Sequence, residues 1–209
     1  MTYSLYPHQQ AIIDESREGF AAGHARIMIA AATGAGKTVI ASHIALSAKE
    51  KGRRVLFVVH LRELVKQATQ HFMAVGLQVG ILQGENTAFS DLDDILVASI
   101  HTIRSRGIPD WAEVILIDEA HILYKDHLEL LERWPDVPVI GLSATPLRKD
   151  LGKHFTHLVR GPTIGWLVEN GYLVKSRAFC PNPEMLQQAL ANVRSSYGPN
   201  GKDYVQSEL

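Results

Sequence analysis

The stretch "RIMIAAATGAGKTVI", Arg26 to Ile40, joins a β-branched apolar run to a glycine-rich turn and then to residues of helical character. A phosphate-binding loop has this strand, loop and helix context, and "GAGKT" supplies its closing Gly-Lys-Thr. The position of that loop's first glycine, five residues before Gly36, holds Ala31. Gly34 and Gly36 allow positive φ, so backbone N–H groups can converge on phosphate oxygens at the start of a helix, whose dipole adds to the attraction. Lys37 supplies a point charge for the β- and γ-phosphates, and Thr38 a hydroxyl for Mg²⁺. Ala31 is acceptable if its position asks for a small side chain and not for positive φ. The competing reading is a glycine-rich turn with a lysine at a helix start.

Working outward, short apolar runs alternate with segments of helical period. Strands are expected at 26–31, 54–59, 78–83, 94–100, 113–118 and 137–144, and helices at 7–22, 37–51, 61–75 and 126–133. That alternation predicts an α/β fold: a doubly wound parallel sheet covered by helices on both faces, with ligands at the carboxyl ends of the strands. Past Pro162, "TIGWLVENGYLV" reads as a helix and a short strand, and a modest helix is expected at 183–197 within a proline- and glycine-broken tail.

"VILIDEAH" delivers two acids from a buried strand to the edge that carries the phosphate loop. Asp118 is suited to hold Mg²⁺ through water, and Glu119 to orient and deprotonate an attacking water. The alternative is that these acids cap a helix.

Composition narrows the classes. The 209 residues are 46% hydrophobic and 21% charged, with a formal net charge of −1, so bulk basicity does not draw the chain to a polyanion. Nucleic-acid contact would need local groups and backbone amides. The single cysteine, Cys180, excludes an internal disulfide framework and suits a reducing compartment. No apolar run approaches the roughly 20 residues of a membrane span, so a cytoplasmic location and no membrane partner are expected. The ten histidines show no zinc pattern: His154 and His157 are close in sequence, as are His121 and His127, without cysteines or an acidic cluster beside them. Trp111, Trp134 and Trp166 read as packing residues.

In sequence order, "LYPHQQ", "AATGAGKT", "VVHLRELVKQ", "ASIHTI", "DEAH" and "GLSATPLRKD" resemble the motor domain of superfamily 2 helicases. The likeness is to the DEAH-containing branch with restriction-enzyme translocating subunits and XPB-like helicases. That family commonly writes its first motif with alanine where other phosphate loops have glycine. The resemblance covers about residues 3–180 and implies a RecA-like P-loop NTPase domain over 1–180, with 181–209 as a linker toward a second RecA-like lobe.

Carried over by position, the resemblance implies that Ala32, Thr33, Gly34, Ala35, Gly36, Lys37 and Thr38 cradle ATP. Lys37, Asp118, Glu119 and His121 are then the catalytic set, with Thr38 and Asp118 on Mg²⁺. Gln9 looks like the glutamine that reads adenine through its amide, with Gln10 as the competing assignment. Arg62, Ser99, His101 and Thr102 look like the groups that hold one nucleic-acid strand by its phosphates, DNA in preference to RNA. Ser143 and Thr145 match the coupling motif, with His121 as the partner across from it. Arg148 and Asp150 complete "SATPxRxD" without an assigned role.

The family also uses a Q-x-x-G-R-x-x-R-type motif from its second lobe for arginine fingers, and that motif does not occur in these 209 residues. The expectation is therefore a helicase or translocase's first motor lobe, weakly active by itself. The rival from another class is a non-catalytic nucleotide- or DNA-binding module. A switch-type kinase is a third option, opposed by "SATP" after "DEAH".

Overall fold

The computed structural model describes residues 4–86, 88–90, 92–106, 112–146, 148 and 150–177, with the backbone of 195–198 and 201–204. The chain divides into two compact units, Met1–Leu173 and Val174–Leu209.

The first unit opens with α1 (Pro7–Ala21), started by Pro7 in its first turn. Proline fits there because its missing N–H would have had no helical partner. Next come β1 (Arg26–Ala30), α2 (Lys37–Glu50), β2 (Val55–Val59), α3 (Arg62–Ala74), β3 (Val79–Leu82) and β4 (Ile95–Ser99). They are followed by α4 (Ile100–Arg106), β5 (Val114–Ile117), α5 (Lys125–Arg133), β6 (Val139–Ser143), a 3₁₀ turn at Leu151–Lys153, β7 (His157–Arg160) and α6 (Ile164–Glu169).

Seven strands form one parallel sheet in the order β3-β4-β2-β5-β6-β1-β7. Successive side chains on a strand point to opposite faces, so a sheet buried on both faces needs unbroken apolar runs. Val55, Phe57 and Val59 face the layer that contains Ile12, Ile40 and Phe72. Leu56 and Val58 face the other layer, with Ile103, Leu130 and Leu131. The doubly wound α/β reading is therefore correct, and all six expected strands exist.

Four local expectations need correction. Ile100, expected to end a strand, begins α4, a helix that the sequence reading lacked. The edge strand β7 was also not expected, because its four residues alternate between exposed and buried and include His157 and Arg160. The short strand expected directly after α6 does not form: Tyr172 and Leu173 lie in a bend after the turn at Gly171. Of the helix expected at 183–197, Ser195 to Tyr197 belong to a strand, and the remainder lies outside the described residues. In the second unit, β8 (Ser195–Gly198) and β9 (Gly201–Tyr204) form an antiparallel hairpin.

Candidate nucleotide site and its coupling loop

The three chemistry-bearing loops leave neighbouring strands. Ala30 pairs with Ser143 and Ile117 with Gly141, so the carboxyl ends of β1, β6 and β5 lie side by side. Asp118 N–H donates to Val58 O at 2.9 Å, Ala120 N–H to Leu142 O at 2.9 Å and Ala31 N–H to Ser143 O at 2.9 Å. Each loop thus leaves its strand anchored to the next one.

Gly34 and Gly36 have φ of 84° and 86°, and Gly36 caps α2 in the left-handed conformation. Ala31 is fully buried and has no positive φ, so its position does ask for smallness alone. Lys37 begins α2 with Thr38 exposed beside it.

Gln9 is almost fully buried, and both ends of its amide are engaged, with one N–H and one lone pair left over. Its Oε1 accepts from Tyr6 N–H at 3.0 Å, and its Nε2 donates to Ala35 O at 3.0 Å. A Cβ on Gly36 would run into Gln9 Nε2, so that glycine is needed for proximity as well as for its φ. Gln10 is exposed and bonds Asp14 on its own helix at 2.9 Å. Of the two candidates, Gln9 is the one at the phosphate loop.

Aromatic side chains wall the same corner. Tyr172 packs against Tyr6, His8 and Trp166, with centroids 5.0, 4.7 and 5.7 Å away, and Leu173 covers Gly34. Sequence reasoning missed this wall. The only signal for it was the aromatic content of "GWLVENGYL".

Across from the loop, Glu119 takes a positive φ of 48°, rare for a side-chain-bearing residue and a small stored strain at the site. Its N–H donates to Asp118 Oδ1 at 3.0 Å. Glu119 Oε1 is 3.9 Å from Lys37 Nζ, and Oε2 is 3.2 Å from His121 Nδ1. The same ring nitrogen is 3.0 Å from Ser143 Oγ, which accepts from Thr145 N–H at 3.0 Å. A proton on His121 Nδ1 satisfies both oxygens that face it.

Burial raises the Asp118 pKa above the usual carboxylate value, the Glu119 charge adds to the rise, and the Glu119 backbone N–H, Lys37 and His60 oppose it. Two crowded acids with one lysine are short of positive charge. These acids, and the exposed Thr38 hydroxyl on the phosphate loop, are hard-oxygen groups of the kind that suit a divalent cation.

Residues 2–148 match the family model described as "Type III restriction enzyme, res subunit". The chain belongs to that family. It is the N-terminal motor domain of a superfamily 2 helicase, as the motifs implied.

Among relatives, the res-type domain is 33% identical over 167 residues to a Saccharomyces cerevisiae protein named "Putative ATP-dependent helicase IRC3", covering 70% of this chain and 24% of that protein. It is 30% identical over 148 residues to a "51.5 kDa protein" of a Lactococcus phage, covering 68% of this chain and 30% of the relative. The chain thus spans a quarter to a third of these proteins. The Pyrococcus furiosus Hef helicase domain shares the fold, with a TM-score of 0.64 and 23% identity over 88% of this chain and 46% of that one.

The remaining candidates of the res-type domain lie along the same edge of the sheet. Ser99 is buried with its Oγ unbonded, Thr102 Oγ1 accepts from Gly84 N–H at 2.8 Å, and His101 is exposed. Ser99 and Thr102 therefore do not present free hydroxyls to solvent, and an exposed strand would meet His101 and backbone groups first. The Arg62 side chain lies outside the described residues. Arg148, unassigned from sequence, bridges two loops: Nη1 donates to Leu123 O at 3.4 Å, and Nε pairs with Asp150 at 2.7 Å.

Among the described residues no group of three or more His, Cys, Asp or Glu could hold a metal ion, and no helix is long and apolar enough to cross a membrane.

Proposed function

We propose that this domain binds Mg-ATP between its phosphate loop and DEAH loop and hydrolyses it, coupling each cycle to a nucleic-acid strand. The substrate metal would be held by Thr38 and Asp118 and would supply the charge that the two acids lack. Ala32, Thr33, Gly34, Ala35 and Gly36 offer backbone to the phosphates, and Lys37 a mobile cation. Glu119 takes the proton of the attacking water, and His121 with Ser143 relays the change to Thr145. Gln9 distinguishes adenine by its amide. DNA is the preferred strand over RNA, held near Arg62, Ser99, His101 and Thr102.

One observation carries this reading: the continuous path from Lys37 through Glu119 and His121 to Ser143 and Thr145, with steps of 3.9, 3.2, 3.0 and 3.0 Å. A surface that only bound nucleotide would not need a polar relay into a third loop.

Full turnover requires a second RecA-like lobe, since an arginine finger is worth about 10³ to 10⁵ in rate. The test is nucleotide binding and strand-stimulated ATPase of the 209 residues, alone and with a second lobe joined. The expected result is Mg-ATP binding lost in Lys37→Ala, and low turnover that rises when the lobe is supplied. Robust turnover by the 209 residues alone, abolished by Lys37→Ala, overturns the dependence on a second lobe. Binding without turnover even with lobe and strand present assigns a non-catalytic binding module instead.

A further inference from the structure

At the opposite edge of the sheet, where the strands begin, lies a cavity of about 460 Å³. It opens between the last turns of α1 and α2 and the start of β5 and β6. Its floor is mainly apolar, Ile13, Phe20, Ile44, Ala48, Val114 and Ile140, with Ser16 and Ser47 among them. Its rim is polar: Arg17, His24, Lys51, Arg53 and Asp136. Two rim groups are occupied, Arg17 by Asp14 at 2.9 Å and His24 by the Thr156 hydroxyl at 3.1 Å. Among the described residues the side chains of Lys51, Arg53 and Asp136 have no ion-pair partner, which leaves two free cations against one free carboxylate.

We propose that this cavity is a binding site for a small amphipathic anion, a compact aromatic or branched aliphatic body carrying one carboxylate or sulfonate. The body lies on the Ile13–Ile140 floor, and the head faces Lys51 and Arg53.

Three features support that class of ligand. The volume falls within the roughly 300–1,000 Å³ of small-molecule sites, which pair apolar walls with a few polar groups. The free charge at the rim is net positive, so an anion neutralises it and a cation does not. The surroundings do not suit a protein partner, whose interface needs about 800 Å² per side around an apolar centre. None of the large hydrophobic residues exposed among the described residues, such as Tyr6, Leu61, Met73 and Trp166, lines the cavity. It is a pit in a polar surface.

The site is independent of the nucleotide reading, because none of its lining residues belongs to the phosphate, DEAH or SAT loops. The test is a fluorescence titration with anilinonaphthalene sulfonate, in the presence and absence of Mg-ATP. The expected result is one saturable site that Mg-ATP does not displace. Arg53→Glu and Lys51→Glu weaken binding about tenfold each, and Asp136→Asn tightens it severalfold, following the sign of the rim charge. Ala48→Phe fills the floor and abolishes binding.

Near-UV circular dichroism accompanies each variant, since the dye also responds to loosened folds. If Ala48→Phe does not fold, the exposed rim variants decide the matter. Affinity indifferent to Lys51, Arg53 and Asp136 overturns the proposal, as does displacement of the dye by Mg-ATP or the absence of saturable binding.

Discussion

Gln9 offers the sharpest test of the site, because its amide has two partners before any nucleotide arrives. Gln9→Ala removes a bond to Tyr6 N–H and one to Ala35 O, each 3.0 Å long. Each such bond contributes about 0.5–1.5 kcal/mol net, and a polar group stranded without water costs about 1–3 kcal/mol more. Tyr6 is 55% exposed, so water can replace the lost acceptor there; Ala35 is 1% exposed, so its carbonyl carries the stranding penalty. The expected destabilisation is roughly 2–4 kcal/mol. With a urea slope of about 1–3 kcal/mol/M, the midpoint should fall by roughly 1–2 M with the slope unchanged. Gln9→Glu separates geometry from size: it keeps the acceptor for Tyr6 but sets an oxygen against Ala35 O, and should be at least as damaging at neutral pH. Both variants should also lose preference for ATP over GTP, since neither presents the paired N–H and C=O with which the Gln9 amide would read adenine. If Gln9→Ala lost that preference while unfolding at the parent's urea concentration, the clamp on the phosphate loop would not exist in solution.

Three further outcomes follow from the packing and the titration. Gly141→Ala places a Cβ 2.8 Å from Ala120 Cβ and 2.8 Å from Phe155 Cζ. Overpacking of this kind costs about 1–3 kcal/mol, so a thermal melt matching the parent's would refute the close approach of the DEAH loop to β6. Burial lowers the His127 pKa from 6.5 to about 4, with His60 and His101 adding to the effect and Asp126 opposing it. Its Nδ1 accepts from Tyr124 N–H at 3.2 Å, which only the neutral ring can do. This contribution is therefore complete above the unfolded value and is lost as pH falls toward 4. The gap corresponds to roughly 3 kcal/mol, and urea midpoints from neutral to acid pH should show a slope that His127→Gln flattens. Ser143→Ala removes the hydroxyl between His121 and Thr145 N–H. Strand affinity measured with and without Mg-ATP should then differ less than in the parent, and an unchanged difference would exclude Ser143 from the relay.

What the sequence made legible was set by short-range physics. Parallel strands buried on both faces must be continuous apolar runs, so β1, β2, β4, β5 and β6 announced themselves. The phosphate loop was equally plain, because left-handed φ at Gly34 and Gly36 leaves few residue choices. Ala31 resolved itself once its φ proved ordinary and its side chain buried. What stayed hidden depends on chain-distant encounters. Gln9 meets Ala35 across 26 residues, and no local pattern encodes that bond. Tyr172 and Leu173 join the nucleotide corner only because the chain folds back after α6, so Trp166 could be read as packing without its neighbours being known. The helix α4 follows β4 with no breaker between Ser99 and Ile100, and periodicity over seven residues cannot separate a strand's end from a helix's first turn.

Strand order explains why the Ser143–Thr145 loop lies where it does. β6 stands between β1, which feeds the phosphate loop, and β5, which feeds the acids. Gly141, without a Cβ, lets Ala120 settle over β6, and Ala120 N–H then reaches Leu142 O at 2.9 Å. Glu119 is held by that contact on one side and by its own positive φ on the other, so it has little slack. On the proposed reading, a change of charge between Lys37 and Glu119 would reach Thr145 through three contacts: Glu119 with His121, His121 with Ser143, and the Thr145 N–H donating to Ser143 Oγ. Arg148 adds a second tie between the same two loops by binding Leu123 O. A bulkier residue at 141 would therefore weaken nucleotide-to-strand coupling as well as stability, by moving Ala120 and with it the Glu119–His121 pair. Its coupling loss should exceed that of an equally destabilising substitution elsewhere in the core, such as Phe72→Leu on the opposite layer.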